Sequence, residues 1–171
     1  MNSTAEALEV FKNEKATDFL VQSKVLSREE IDSRYHIMVE RYVKTLDIEL
    51  DTLSELVQTF VIPTVEKQIG ILAATHSHLT HAGLKKRHAG RFEQLQSSLD
   101  AILGYQHDLH RLLDDVRATH DETKKMQRLA HEVQPVALKL RESCDAAERL
   151  VSDDLWPLPK YREMLFTNSL S

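Results

Sequence analysis

The chain has 171 residues and a mass of 19.7 kDa, the size of one ordinary domain. Four glycines and four prolines are too few for a turn-rich β-sandwich or barrel. One cysteine excludes a disulfide framework and a cysteine-based zinc site. The net charge of -5 gives no basic footprint for nucleic acid, and no apolar run reaches the roughly 20 residues of a membrane span. We therefore expect a cytoplasmic, all-α protein without nucleic-acid or membrane partners.

Two capping boxes mark helix starts near the N-terminus. In each, a serine is followed three residues later by a glutamate, at Ser3–Glu6 and Ser27–Glu30. The two side chains of such a pair cover each other's free backbone N–H groups. The first box predicts a short helix with Ala5, Leu8 and Phe11 on one face, and the second predicts a long one.

The long helix carries a single apolar stripe at spacings of three and four residues. Its members are Ile31, Tyr35, Val39, Tyr42, Leu46, Leu50, Leu53, Val57 and Phe60. Pro63 should end or kink this helix, because proline lacks an N–H and its ring clashes with the preceding turn. The helical pattern resumes at Thr64, and Gly83 is a plausible stop.

Two further stripes follow a basic loop at residues 83–90. The first contains Phe92, Leu95, Leu99, Ile102, Leu109, Leu113 and Val116. The second contains Met126, Leu129, Ala130, Val133, Ala137, Leu140, Cys144, Ala147 and Val151. Asp121 should cap the second helix, and Pro135 within it predicts a local kink.

Together these patterns predict an elongated bundle of long antiparallel helices, because amphipathic helices must bury their stripes against each other. Residues 1–26 form a short helical lead-in and residues 27–152 form the bundle. Residues 153–171 form a docking tail that contains the only tryptophan and two prolines. The interaction candidates in this tail are Trp156, Pro157, Pro159, Tyr161 and Phe166, since large aromatic side chains bury much area at low entropic cost.

The histidines are the weak candidates for a metal site. His76, His78, His81 and His88 cluster in the sequence, but none of the nine histidines follows a glutamate or aspartate by three residues, as a di-iron bundle requires. Solvated or interface histidines are the favoured interpretation. The order of residues around His81 is wrong for a phosphotransfer domain. Cys144 lies on an apolar stripe, which favours an inert thiol. We expect no catalytic, cofactor-binding or metal-binding residue in this chain.

Particular runs of residues resemble the type III glutamine synthetases. Residues 25–35, VLSREEIDSRY, are similar to that family's VLSKRELESRY, and residues 40–49, ERYVKTLDIE, to its E-x-Y-x-K-T-I-x-I-E. Residues 61–63, VIP, match its I-L-P, and residues 154–166, DLWPLPKYREMLF, resemble its C-terminal end. The resemblance covers residues 16–166, and it implies that residues 3–20 are the counterpart of the last helical stretch of the family's catalytic domain.

This resemblance implies the non-catalytic C-terminal helical region of an ATP- and divalent-metal-dependent glutamate–ammonia ligase, present either within such an enzyme or as a separate relative. The catalytic motifs of the family lie upstream of the matched region, so no catalytic residue is carried over. The implied role is structural, in assembly or regulation, with other synthetase subunits or the chain itself as partners. A free-standing helical adaptor and a histidine-based metal-binding bundle remain the alternatives.

Overall fold

A computed structural model describes residues 4–82, 89–160 and 163. In these ranges the regular structure is entirely helical, with no strand, as the composition predicts. None of the described helices is both long and apolar enough to cross a membrane.

The N-terminal region forms two short helices, α1 (Thr4–Leu8) and α2 (Glu14–Gln22), joined by a 3-10 turn (Glu9–Lys12). Ala5 and Leu8 are buried and Phe11 is half-buried, so the predicted apolar face is confirmed. The Lys12 ammonium lies 4.6 Å from the centre of the Tyr35 ring. Such a cation–π contact ties this region to the next helix. Ser3, the predicted cap of α1, lies outside the described residues.

The helix predicted to start after Ser27 does so and continues through Pro63. Helix α3 (Arg28–Leu56) is followed by a π-helical turn (Val57–Val61) and by α4 (Ile62–His81). In this turn the Ile62 N–H donates to the Val57 carbonyl, five residues back. The wider turn relieves the clash between a proline ring and the preceding helical carbonyl. The predicted stop at Gly83 and most of the loop at 83–90 lie outside the described residues.

The C-terminal half contains a long helix and then a second helix that is interrupted by a π-helical turn. Helix α5 spans Ala89–Arg117, α6 spans Glu122–Arg128, and a second π-helical turn (Leu129–Val133) leads into α7 (Gln134–Glu148). The Asp121 carboxylate accepts hydrogen bonds from the N–H groups of Thr123 (2.9 Å) and Lys124 (3.1 Å), so the predicted cap is confirmed. Pro135 follows its π-helical turn by two residues, as Pro63 follows the first.

One predicted core position, Phe60 in the first π-helical turn, is wrong. Phe60, assigned to the buried stripe, is 40% exposed, whereas Val61 is 2% exposed. Val57 and Val61 are both buried and lie four residues apart, so a helical turn of about 3.6 residues brings position 61, rather than 60, to the buried side. Downstream of the turn, Val65 is buried as expected, and Ile69, Leu72 and Leu79 are half-buried.

The contacts divide the chain into two compact units. Unit 1 contains residues 1–53 and 107–138, and unit 2 contains residues 54–106 and 139–171. The core of unit 1 is drawn from the predicted stripes, with Ile31, Tyr35, Val39, Leu46, Leu50, Leu109, Leu113, Val116, Met126, Leu129 and Val133 all buried.

Unit 2 has its own core, drawn from the first π-helical turn, α4, α5, α7 and the residues just after α7. Its members are Val57, Val61, Val65, Leu95, Ile102, Leu140, Cys144, Ala147 and Val151. One polar pair lies inside it. The Gln106 side-chain amide donates to the Ser54 carbonyl (3.0 Å) and hydroxyl (2.8 Å). Because a buried amide without partners is costly, these bonds fix how the two segments pair within the unit.

Candidate interaction surfaces

The end of α2 turns sharply around one residue with a left-handed backbone. Lys24 has a φ of 53°. Its N–H donates to the Val21 carbonyl, and the Val25 N–H donates to the Leu20 carbonyl, both at 3.0 Å. These two bonds form a Schellman motif, in which glycine is the usual left-handed residue. The Ser23 hydroxyl adds a 2.6 Å bond to the Phe19 carbonyl.

The start of α3 fixes the other side of this turn. The Ser27 N–H donates to the Glu30 carboxylate at 2.7 Å, and the Glu30 N–H donates to the Ser27 hydroxyl at 3.2 Å. This is the predicted capping box, and it is confirmed. Arg28 reaches back to α2, donating to the Thr17 hydroxyl at 3.0 Å and forming an ion pair with Asp18. The turn is therefore held by bonds on both sides.

Two apolar side chains project from this fixed turn. Phe19 is 63% exposed and Val25 is 64% exposed. We call this pair the apolar corner. They occupy the positions that commonly pack together in a Schellman motif, at the residue after the left-handed one and in the last full turn of the helix. Exposing a phenylalanine and a valine to this extent leaves apolar area available for a partner.

Exposed apolar side chains are unevenly distributed along the described parts of the chain. Nine of the eleven large ones lie between residues 10 and 71, namely Val10, Phe19, Val25, Ile37, Met38, Ile48, Leu56, Phe60 and Ile71. The other two are Leu103 and Leu138. The N-terminal half thus presents more uncovered apolar surface than the rest.

A charged groove of about 260 Å³ lies in unit 1. Its floor is apolar, and its rim carries three ion-paired cations. Lys44 bonds Glu40 at 2.5 Å, and Lys125 bonds Glu122 at 2.9 Å. Arg117 bridges Asp47 at 2.8 Å and Asp51 at 2.6 Å, which raises the pKa of its guanidinium further. Because each cation is already neutralised, the groove has little net attraction for an ion.

The segment that leads into the predicted docking tail is bonded to α4 and α5, within unit 2. The buried Gln68 side chain accepts from the Ser152 N–H at 2.9 Å. The Thr64 hydroxyl lies 3.5 Å from the Leu155 carbonyl, and Arg91 donates to the Leu150 carbonyl at 2.5 Å. These bonds hold the backbone of residues 150–155 against α4 and α5.

The aromatic part of the tail follows this anchored segment. Trp156 is half-buried, and Pro157 and Pro159 are exposed. Lys160 forms an ion pair with Asp153, which draws the segment into a compact turn. Tyr161 and Phe166 lie outside the described residues. The anchoring residues Thr64, Gln68 and Arg91 were missed by the sequence analysis, although a glutamine on the apolar side of α4 is a usable signal.

The candidate metal ligands lie near the end of α4. His76 is half-buried, and His78 and His81 are exposed. A ring nitrogen of His81 is 2.7 Å from the Ser77 carbonyl. Across residues 4–82, 89–160 and 163, no three histidine, cysteine, aspartate or glutamate side chains are grouped so that they could hold a metal ion. His88 lies outside these ranges.

The single cysteine lies in the core of unit 2. Cys144 is 9% exposed, and burial raises the pKa of its thiol to about 12. A thiol with such a pKa carries almost no thiolate near neutral pH, and the thiolate is the reactive form. The geometry therefore agrees with the expected inert thiol.

Comparisons with known proteins agree with the sequence motifs. Residues 1–80 match the family described as the glutamine synthetase C-terminal domain. The type-3 glutamine synthetase of Dictyostelium discoideum is 29% identical over 96% of this chain, and a glutamine synthetase of Bacteroides fragilis is 25% identical over 95%. The chain spans 23% of the length of each relative. These matches confirm the resemblance to the C-terminal domain of type III glutamine synthetase.

Proposed function

We propose that this chain is a non-catalytic helical module that packs on glutamine synthetase subunits and contributes to their assembly or regulation. The synthesis of glutamine, with its ATP and divalent metal, belongs in this proposal to the larger enzyme. The module would work in the cytoplasm with synthetase subunits or further copies of itself as partners. Its helices would form the elongated antiparallel bundle that their apolar stripes predict.

One observation carries this proposal. The exposed apolar side chains are concentrated between residues 10 and 71, inside the segment that matches the synthetase C-terminal domain. Apolar side chains are expected to be exposed on a domain considered alone where it normally packs against a larger protein. The uneven distribution therefore supports a module that uses side chains of this segment to contact a partner.

The tail is proposed as a second contact. Residues 150–155 are held on unit 2, so Trp156, Pro157 and Pro159 follow from a fixed base. A fixed aromatic side chain loses little entropy on binding, which favours its use as an anchor. We assign this segment to contact with a neighbouring subunit, together with Tyr161 and Phe166.

A free-standing helical adaptor is the second candidate function. A self-contained adaptor would be expected to show polar outer faces away from one binding site. Ile37 and Ile48 are 61% and 66% exposed on α3 within unit 1, so the outer surface of that unit is not uniformly polar, which favours the synthetase module. For the histidine-based metal-binding bundle, elemental analysis of protein purified without a histidine tag is the test.

The proposal is tested by gel filtration of a lysate from the source cells. An antibody against this chain and an assay of glutamine synthetase activity are applied to the same fractions. We expect both signals in one peak, at a mass far above 19.7 kDa. Elution of the antigen at 19.7 kDa, or in a large peak without synthetase subunits, would contradict the proposal.

A further inference from the structure

The apolar corner differs from the other exposed apolar positions in how firmly its backbone is held. Two Schellman bonds and the Ser23 hydroxyl fix the end of α2, and the Ser27–Glu30 box fixes the start of α3. Arg28 then links the two helices through Thr17 and Asp18. Phe19 and Val25 therefore project from a backbone that is already ordered, so binding would cost little further backbone conformational entropy.

The backbone at this turn adopts an unfavourable conformation. Lys24 occupies the left-handed region, which a residue with a β-carbon rarely adopts. Such conformations persist where surrounding bonds enforce them, and they are frequent at contact sites. The strained residue lies immediately before Val25, so it sets the direction in which that side chain leaves the turn.

The charges around the corner indicate the chemistry of the partner. Arg28 is already paired with Asp18, and Glu30 is engaged in the capping box. Neither is available as an unpaired charge for a nucleic acid, a phosphate or an acidic peptide. The turn therefore offers an exposed aromatic ring and an exposed branched aliphatic side chain, together with the exposed Lys24, and the two apolar side chains fit an apolar socket on another protein surface.

We propose that the apolar corner is the contact through which this chain packs against a glutamine synthetase. The partner surface would lie in the part of the synthetase that does not align with this chain. Phe19 and Val25 belong to the segment that matches the synthetase C-terminal domain, and 23% of each relative aligns with this chain, so most of each relative lies beyond it. That remainder is large enough to provide an apolar socket. This inference rests on the proposed function and names the surface that it uses.

Site-specific photo-crosslinking in source cells tests the inference, whether the chain is free or part of a longer polypeptide. The photoreactive residue p-benzoylphenylalanine replaces Phe19 in one variant and Val25 in a second. The control variant carries it at Leu138, which is 57% exposed and lies outside the matched segment. Circular dichroism of each purified variant verifies the helical fold, and mass spectrometry identifies the cross-linked peptides.

We expect the variants at Phe19 and Val25 to cross-link to synthetase peptides outside the aligned region, with at least tenfold lower yield from Leu138. If synthetase peptides are captured from Leu138 but not from Phe19 or Val25, the inference is overturned and the proposed function stands. Cross-links from the corner to a second copy of this chain also overturn the inference. Absence of synthetase peptides at all three positions overturns both.

Discussion

The side chain of Gln68 on α4 accepts a 2.9 Å hydrogen bond from the backbone N–H of Ser152, 84 residues away. Gln68 is 5% exposed, so this buried amide is committed to holding the end of the α7 segment. The bond joins the base of the tail to the core of unit 2. It therefore links the stability of that core to the position of the residues that lead to Trp156.

Replacing Gln68 by Leu should loosen this junction. The change keeps a similar volume but removes the acceptor of the Ser152 N–H, and we expect a loss of about 1–2 kcal/mol in the free energy of unfolding. Urea denaturation measures the loss, and hydrogen exchange of the Ser152 amide should accelerate. The matched control is Gln96→Leu, an exposed glutamine in the same unit, which should change stability by less than about 0.5 kcal/mol. Equal effects of the two changes would contradict the assigned role.

Arg117 should contribute modestly to the stability of unit 1. It bridges Asp47 and Asp51, but its side chain is 40% exposed, so solvent screens both pairs. We expect Arg117→Met to cost about 0.5–1 kcal/mol at low salt, and less in 1 M NaCl. Arg111, which contacts only Asp108 at 3.6 Å among the ion pairs of the described residues, provides the control substitution Arg111→Met. A cost for Arg117→Met that does not change with salt would argue against the ion pairs as its cause.

Glycine at position 24 should make the folded protein more stable than the native lysine does. The φ of 53° at Lys24 places the β-carbon in an unfavourable region, and glycine removes this penalty. We expect Lys24→Gly to stabilise the protein by about 0.5–1 kcal/mol in thermal or urea unfolding. The same change at Lys67, which is exposed within α4, should destabilise it by about 1 kcal/mol. Opposite signs at the two positions are the expected result, and destabilisation at both would show that Lys24 is not strained.

Cys144 should be protected from alkylation in the folded protein. Burial raises the pKa of its thiol from 9.0 to about 12, which lowers its thiolate fraction near neutral pH by about a thousandfold. Iodoacetamide at pH 8 should modify it slowly in buffer and rapidly in urea. Rapid labelling of the native protein would contradict its burial.

The same pKa shift predicts how stability responds to alkaline pH. The unfolded chain releases the thiol proton near pH 9, whereas the folded chain retains it to about pH 12. The stabilising contribution is therefore complete below pH 9 and is lost as the pH rises toward 12. Relative to Cys144→Ala, the wild-type protein should lose stability in this window, and parallel pH profiles would contradict the shift.

Trp156 should affect assembly and leave chemistry unchanged. In the polypeptide that carries this chain, Trp156→Ala removes the proposed anchor, and native mass spectrometry should then detect smaller assemblies. Turnover per synthetase subunit should stay within about twofold, since no step of the reaction is assigned to this chain. Trp156→Phe retains an aromatic ring and serves as the control. An unchanged assembly in Trp156→Ala would remove the tail from the proposed contacts.

The helical stripes could be predicted from the sequence because helical periodicity extends over many turns. Met126, Leu129, Val133 and Leu140 are buried as that period requires, even though Pro135 falls among them. Phe60 is the exception, because the buried position after Val57 comes four residues later rather than three, and apolar spacing alone allows either. The division into residues 1–26, 27–152 and 153–171 stays a prediction.

The interaction surfaces were harder to predict for physical reasons. Ser152 contributes only its backbone N–H to the bond with Gln68, and Leu150 contributes only its backbone carbonyl to the bond with Arg91. Since every residue except proline has both of these backbone groups, no sequence pattern identifies the two partners. The exposure of Phe19 depends on which side of the short helix α2 packs inward. A helix of nine residues carries too few turns for its buried side to be identified from apolar spacing alone.

The most direct test of the account is electron cryo-microscopy of particles isolated from source cells with an antibody against this chain. The account predicts glutamine synthetase subunits with this helical chain packed on them and the α2–α3 turn facing the synthetase body. Particles that contain the chain but no glutamine synthetase would contradict the central claim.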